Sequence, residues 1–255
     1  MIDKRELLEK SRERGLRLEM IEKDYVLGWL LYGFSHFPDL VFKGGTALSK
    51  VYFPRIWRLS EDLDFSLVQG EMPDVMKEIE GIILTSSQKS GIEFNLKSSH
   101  LIPEYLQLKI QYKGLISRNW IKIDCTLDDL VEKPAEMELK STYSDYISFK
   151  IRVETLEEIF ASKLRAAIER KKCRDYFDLW QLSKMDFDNG RLKDVFARKC
   201  KIKNIEFEGL DQIFPEDIVE TMAPYWKREL SRLTSLAPEM DIVIGALKKS
   251  LQFLE

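Results

Sequence analysis

The chain has 255 residues, 44% hydrophobic and 33% charged, with only 12 Gly and 8 Pro, which is the balance of an ordinary folded protein with a large core and excludes a disordered or collagen-like chain. A net charge of −3 gives no sign of a nucleic-acid binder in the whole-chain average. Three scattered cysteines (Cys125, Cys173, Cys200) and two histidines (His36, His100) exclude a disulfide framework and His-rich or CxxC metal centres, and neither histidine has a nucleophile elbow nearby.

The first helix is expected over Asp3 to Gly15, with Asp3 as its N-cap and Gly15 as its stop. A second follows near Leu18 to Phe34, opening with Glu22-Lys23-Asp24-Tyr25 and continuing into the apolar Trp29-Leu30-Leu31-Tyr32. Leu40-Val41-Phe42, between Pro38 and Gly44-Gly45, reads as a buried strand entering a tight turn. Thr46 to Tyr52 suits a short helix, Leu63 to Val68 a strand, and Pro73 to Lys89 a helix. Three β-rich runs come next, Ile92–Lys97, Tyr105–Tyr112 and Trp120–Leu127, and Tyr143–Phe149 is a further strand candidate, so a mixed sheet of about five strands is expected. Thr155–Arg170, Arg174–Met185, Asn189–Cys200, Pro215–Leu233 and Met240–Leu254 all have helical character. The fold class is α+β, with a mixed-sheet domain and N-terminal helices over residues 1–150 and a helical C-terminal domain over 151–255. No apolar run approaches the roughly 20 residues needed to span a bilayer, and the opening residues carry no export signal; a cytoplasmic location is expected, with no membrane partner.

Charge is unevenly placed. Residues 163–203 hold 13 Lys/Arg against 6 Asp/Glu. This run fits either a surface for a polyanion or ordinary solvated helix faces.

The segments that carry chemistry are Phe42-Lys43-Gly44-Gly45-Thr46-Ala47-Leu48 and Arg58-Leu59-Ser60-Glu61-Asp62-Leu63-Asp64-Phe65. Paired glycines between a strand and a helix let backbone N–H groups approach a phosphate, although a tight structural turn explains them equally. The spacing is neither GxxxxGK[ST] nor GxGxxG. Asp62 and Asp64, two apart on a strand, project from one face and put two carboxylates side by side while Leu63 and Phe65 face a core. Adjacent carboxylates repel unless a cation lies between them, and Mg²⁺ favours oxygen ligands shared with triphosphate oxygens. Asp124, on the polar face of a strand with Lys122 and Thr126, is the candidate third ligand; the alternative is a solvated acid on a half-exposed strand. In the first C-terminal helix, Lys163 falls in an apolar stripe with Leu156, Ile159, Phe160 and Ala167. It is read either as a snorkelling lysine or as a cation that counters charge developing at phosphorus. Arg174 and Asp178, at i and i+4, are open to a surface ion pair or to inward-facing acids.

These two segments, with Glu22-Lys23-Asp24-Tyr25 and Arg174-Asp175-Tyr176-Phe177-Asp178-Leu179, resemble the AbiEii/AbiGii-type nucleotidyltransferase toxins over residues 20 to 185. The resemblance implies a fold related to DNA polymerase β and a toxin role in type IV toxin–antitoxin and phage-abortive-infection systems. It also implies transfer of a nucleotide from an NTP, with one or two Mg²⁺ as cofactor, in some members to the 3′ acceptor end of tRNA. Asp62, Asp64, Lys163 and Asp178 are then the catalytic candidates, and Asp62, Asp64 and Asp124 the metal ligands. Lys43, Gly44, Gly45, Thr46, Arg58 and Ser60 are the phosphate-binding candidates, with Arg174 in support. An RNA acceptor and an antitoxin encoded nearby are the expected partners. The competing readings are transfer to a protein or small molecule, and a non-catalytic nucleotide-binding module.

Overall fold

The structure is a computed structural model that describes residues 1–54, 57–127, 130–139 and 142–255. The chain divides into two compact units, one of Met1–Leu130 with Pro134–Glu154, the other of Val131–Lys133 with Thr155–Glu255.

The first unit begins with helix α1 (Lys4–Arg14). Asp3 caps it by accepting from the Glu6 amide at 2.8 Å, and Gly15 ends it at φ 63°, where a residue without a Cβ turns freely. Helix α2 (Leu18–Phe34) follows and is buried along almost its whole length, including Glu22, Lys23 and Asp24. Strand β1 (Leu40–Lys43) leads into a short helix α3 (Gly44–Ala47), and a π-helical turn over Leu48–Tyr52 continues from it. Strand β2 (Asp62–Leu67), helix α4 (Met72–Ser90), then β3 (Glu93–Ile102), β4 (Tyr105–Lys113), β5 (Arg118–Thr126), β6 (Ala135–Leu139) and β7 (Phe149–Val153) complete the unit.

The strands form one seven-stranded sheet in the order β3-β4-β5-β2-β1-β7-β6. Pairings β1–β7 and β2–β5 are parallel and the others antiparallel, so the sheet is mixed. The expectation of about five strands is therefore corrected to seven. Tyr143–Phe149 is not a strand: Tyr143 and Tyr146 are held by their rings and hydroxyls against Tyr25, Trp29 and Asp24. The strand starts only at Phe149.

One sheet face is dry. Leu63, Phe65, Leu106, Leu108, Ile110, Ile121, Ile123 and Cys125 are all fully buried, and Phe34 of α2 stacks on Phe65 with ring centroids 4.9 Å apart. Burial of this kind stabilises by about 1.5–3 kcal/mol per large side chain. Helices α2 and α4 approach closely at Gly33, where any Cβ would strike the Ser86 side chain and the Ile82 carbonyl. The other face carries Lys43, Asp62, Asp64, Gln107, Lys109, Lys122 and Asp124, which are polar and half-exposed.

The second unit is helical, with α5 (Leu156–Glu169), α6 (Cys173–Leu182), α7 (Asn189–Ile202), α8 (Ile218–Leu230) and α9 (Met240–Ser250). Thr155 caps α5 by accepting from the Glu158 amide. Glu158, fully buried, accepts from the amides of Val131 and Glu132 and pairs with Lys199 at 2.7 Å, so the buried charge is both paired and hydrogen-bonded. Among the described residues, no helix is long and apolar enough to cross a membrane.

Candidate active site

The open face of the sheet is organised in rungs, each a line of directly opposed residues running across the strands. One rung is Lys43, Asp64, Asp124, Gln107 and His100, in β1, β2, β5, β4 and β3. The next is Asp62, Lys122, Lys109 and Ser98. Neighbouring strands lie about 4.8 Å apart, so the Asp64 and Asp124 backbones are adjacent, and Asp62 and Asp64 stand on one face as their spacing predicts. Leu63 and Phe65 face the core between and beyond them.

Gly44 meets this rung from β1. Its φ is +77°, and a Cβ added there would lie 2.9 Å from the Asp64 Oδ2. The residue must be glycine for the backbone to pass so near the carboxylate. The bend is fastened from the other side by Thr46, whose buried hydroxyl donates to the Asp62 carbonyl at 2.5 Å and lies 2.7 Å from the Ser60 hydroxyl. The Thr46 and Ser60 side chains thus hold the diglycine bend against β2. What they leave for an anion is the first-turn N–H groups of α3, which have no intrahelical carbonyl to bond.

Lys43 Nζ donates to Thr126 Oγ1 at 2.7 Å. Arg58 is 3% exposed and donates to the Leu59 carbonyl at 3.0 Å, so its guanidinium lies within the core of the unit. Asp124 is held by three donors: the Tyr105 hydroxyl at 2.5 Å, Gln107 Nε2 at 3.1 Å and Lys122 Nζ at 2.5 Å. Partial burial would raise its pKa, but these hydrogen bonds outweigh burial and hold it below the usual carboxylate range. Lys122 moves the opposite way. Burial would lower it, and the hydrogen bond and charge of Asp124, with the charges of Asp62 and Asp64, raise it.

These contacts decide how a divalent ion would be held. Asp62 and Asp64 present two carboxylates on one strand face, Asp64 beside the Gly44 bend, and carboxylate oxygens are what a divalent ion shares with water and phosphate. Asp124, the expected third ligand, is next to Asp64 in register, and its oxygens accept from Tyr105, Gln107 and Lys122. Among the described residues, no group of three or more His, Cys, Asp or Glu is arranged to hold a metal. The role of Tyr105, Gln107 and Lys122 was not foreseen, and the signal for it was the alternation of polar residues along β4 and β5.

Glu22-Lys23-Asp24-Tyr25 turns out to anchor the frame around this site. Glu22 accepts from the Ile116 amide at 2.7 Å and from the Ser117 hydroxyl, pinning the β4–β5 turn. Asp24 accepts from the Tyr143 hydroxyl and forms a buried pair at 2.8 Å with Lys50, which also donates to the Asp24 carbonyl at 2.6 Å. A cavity of about 390 Å³ lies beside this pair, lined in part by Arg14, Leu59 and Tyr143. The carboxylates of β2 lie on the open face instead.

In the second unit, Lys163 is 8% exposed and pairs with Asp175 at 2.9 Å and Asp178 at 2.8 Å. Asp178 is fully buried and faces Lys163, so it is no surface partner of Arg174, which is half-buried on the same helix. Asp175 also accepts from Arg170 at 2.8 and 3.0 Å. Burial would raise the Asp175 pKa, and the Lys163 charge and the Arg170 hydrogen bond hold it well below the carboxylate range. Lys163 and Asp178, each a catalytic candidate by the family resemblance, form a buried ion pair with one another.

The comparisons bear on this geometry. A family model described as nucleotidyl transferase AbiEii toxin, type IV TA system, matches residues 29–251. Among solved structures, MenT4, a nucleotidyltransferase toxin from Mycobacterium tuberculosis, superposes with a TM-score of 0.74 at 18% identity, covering 100% of this chain and 90% of that one. JHP933 from Helicobacter pylori superposes with a TM-score of 0.62 at 18% identity, covering 94% and 93%. At these identities the likeness to solved structures is one of fold. No curated protein matches the sequence.

Proposed function

The chain belongs to the AbiEii family of nucleotidyltransferase toxins of type IV toxin–antitoxin systems, and from that premise we propose that it moves a nucleoside monophosphate from an NTP to the 3′ end of an RNA, the tRNA acceptor end being the preferred target. The observation that carries this reading is the close approach of the Gly44 bend to Asp64, on the strand face that also presents Asp62. It supports a reading in which one ligand meets the carboxylates through a divalent ion and the backbone donors through its phosphates.

Asp62 and Asp64 would hold Mg²⁺, which when bound neutralises triphosphate charge and aligns the α-phosphorus for in-line displacement. The amides of Gly44, Gly45 and Thr46 receive phosphate oxygens, and Lys43, one strand from Asp64, adds positive charge. Lys122 offsets the three acids around it, and Asp124, held ionised by its donors, keeps Lys122 in place. The ribose hydroxyl of the acceptor releases its proton to solvent and attacks the α-phosphorus, a new P–O bond forms as the bond to the α–β bridging oxygen breaks, and pyrophosphate leaves. For Lys163, Asp178 and Arg174 the family resemblance supports an active-site role; the buried pair of Lys163 and Asp178 also supports a structural one for those two. The same resemblance supports an antitoxin encoded nearby.

The test is label transfer from α-labelled NTPs to a panel of acceptors: tRNA, other RNAs, proteins and small alcohols or aminoglycosides. Asp64→Asn is expected to abolish transfer to tRNA while leaving the thermal melt intact. Undiminished transfer by that variant sinks the assignment. Label arriving on a protein or small molecule instead moves the acceptor class, and nucleotide binding without pyrophosphate release makes the chain a binding module.

A further inference from the structure

The open sheet face does not end at the carboxylates. Toward the β4–β5 turn the rung of Asp62, Lys122 and Lys109 is followed by one of Trp120, Gln111 and Asn95, then by one of Arg118, Lys113 and Glu93. Alternation along β4 and β5 puts Lys109, Lys113, Arg118, Trp120 and Lys122 on the same face as Asp64 and Asp124. Its character changes from acidic at the site to basic at the turn, with Glu93 the single acid in the two rungs beyond that of Asp62.

Trp120 is the unusual member. It is 36% exposed on a strand whose inward residues Ile121, Ile123 and Cys125 are completely buried. Lys109 Nζ lies 5.1 Å and Lys23 Nζ 5.7 Å from its ring centroid, and Lys23 is steadied by Glu61 at 3.8 Å. The indole thus keeps about a third of its surface open to solvent while two ammonium groups lie near its ring. Aromatic rings on an open sheet with lysines and arginines alternating around them are how proteins bind unpaired nucleic-acid strands: bases stack on the ring and phosphates meet the cations. Trp120 is four residues before Asp124 on β5, a distance of about 13 Å, so a strand whose end is at the carboxylates passes over it.

We propose that the β4–β5 face is the acceptor-strand track, on which Trp120 stacks a nucleobase of a single-stranded RNA 3′ end while Lys109, Lys113 and Arg118 receive its phosphates. This rests on the nucleotidyltransferase reading and adds to it the surface that selects an unpaired nucleic acid over other hydroxyl-bearing acceptors. The Trp120 ring serves binding and register and takes no part in bond making. A base from the incoming NTP has the same chemistry, and the two sources differ in which ligand's affinity depends on the ring.

Binding is measured without turnover, by fluorescence anisotropy of a labelled eight-nucleotide single-stranded RNA, a duplex of the same sequence and a labelled NTP, on the full chain and on Trp120→Ala, Trp120→Phe and Lys109→Gln. Stacking lost to alanine weakens single-strand affinity about 5- to 100-fold, and phenylalanine restores most of it. Lys109→Gln flattens the dependence of affinity on salt. The duplex binds more weakly than the single strand, and NTP affinity is the same in all variants. Single-strand affinity unchanged in Trp120→Ala overturns the proposal, as does NTP affinity falling in step with it, which assigns the ring to the incoming nucleotide. A protein that labels only a non-nucleic acceptor and does not bind the oligonucleotide overturns the track while the transfer reading stands. Trp120-dependent RNA binding without any label transfer does the reverse.

Discussion

At Gly44 the backbone sits at φ +77°, a region that costs an L side chain about 1–2 kcal/mol, and the missing Cβ is replaced by the Asp64 carboxylate at 2.9 Å. Gly44→Ala is therefore expected to lose about 1–2 kcal/mol in chemical denaturation and to lower label transfer by more than tenfold, since either the bend or Asp64 must move. Asp175 gives a pH prediction. Its folded pKa lies below the unfolded value, because Lys163 and Arg170 favour the carboxylate. Its contribution is thus fully present above the unfolded pKa of about 3.9 and is lost as pH falls toward the folded one. Asp175→Asn is expected to lower stability at pH 7 and to flatten its decline between about pH 5 and pH 2, read by denaturant titrations at each pH; an unchanged slope counts against the pairing. At this scale the sequence was legible wherever the period of a strand decided the matter: Asp62 and Asp64 on one face, Leu63 and Phe65 on the other. It marked Asp124 as a candidate ligand but not its donors Tyr105 and Gln107, which arrive from a neighbouring strand and are brought to it only by the pairing register.

Elements with local signals were also legible. Asp3 and Gly15 delimit α1, and α2 runs over the residues its apolar stretch marks. Strand β6 was not, because Ala135-Glu136-Met137-Glu138-Leu139 is written in helix formers, and it becomes a strand only by pairing with β7. The segment after Gly44-Gly45 was expected to be one short helix and is an α-turn passing into a π-helical one. Lys50, in that π-turn, is fastened to Asp24 of α2. Burial lowers the Lys50 pKa against the pull of the Asp24 charge, so the pair stands or falls together. Lys50→Met strands a buried carboxylate and is expected to cost about 3–5 kcal/mol. The double variant Lys50→Met, Asp24→Leu is expected to recover much of that loss in thermal melts, and a double variant no better than the single one would falsify the pairing as the cause.

For the molecule as a whole, the basic run of residues 163–203 fitted either a surface for a polyanion or ordinary solvated helix faces. Many of its cations are committed within their own unit: Lys163 to Asp175 and Asp178, Arg170 to Asp175, Arg191 to Glu132 and Glu157, Arg198 to Asp194 and Lys199 to Glu158. A charge count along a chain does not distinguish cations that face solvent from those that tie helices together. Lys163→Gln leaves two buried acids short of their shared cation, so the second unit is expected to lose about 3–5 kcal/mol. If Lys163 also serves transfer, activity per folded molecule, measured well below the melting temperature, falls at least tenfold; equal specific activity leaves it a structural residue only.

Strand β2 has a neighbour on each side, β5 and β1, so its amides are locked into ladders that open only with large-scale unfolding. Deuterium uptake at Leu63 and Phe65 should be among the slowest in the first unit. Asp64 is therefore fixed from both sides while Asp62, paired with β5 alone, sits at the end of the ladder, so any slackening of this strand begins at the first acid and not at the second.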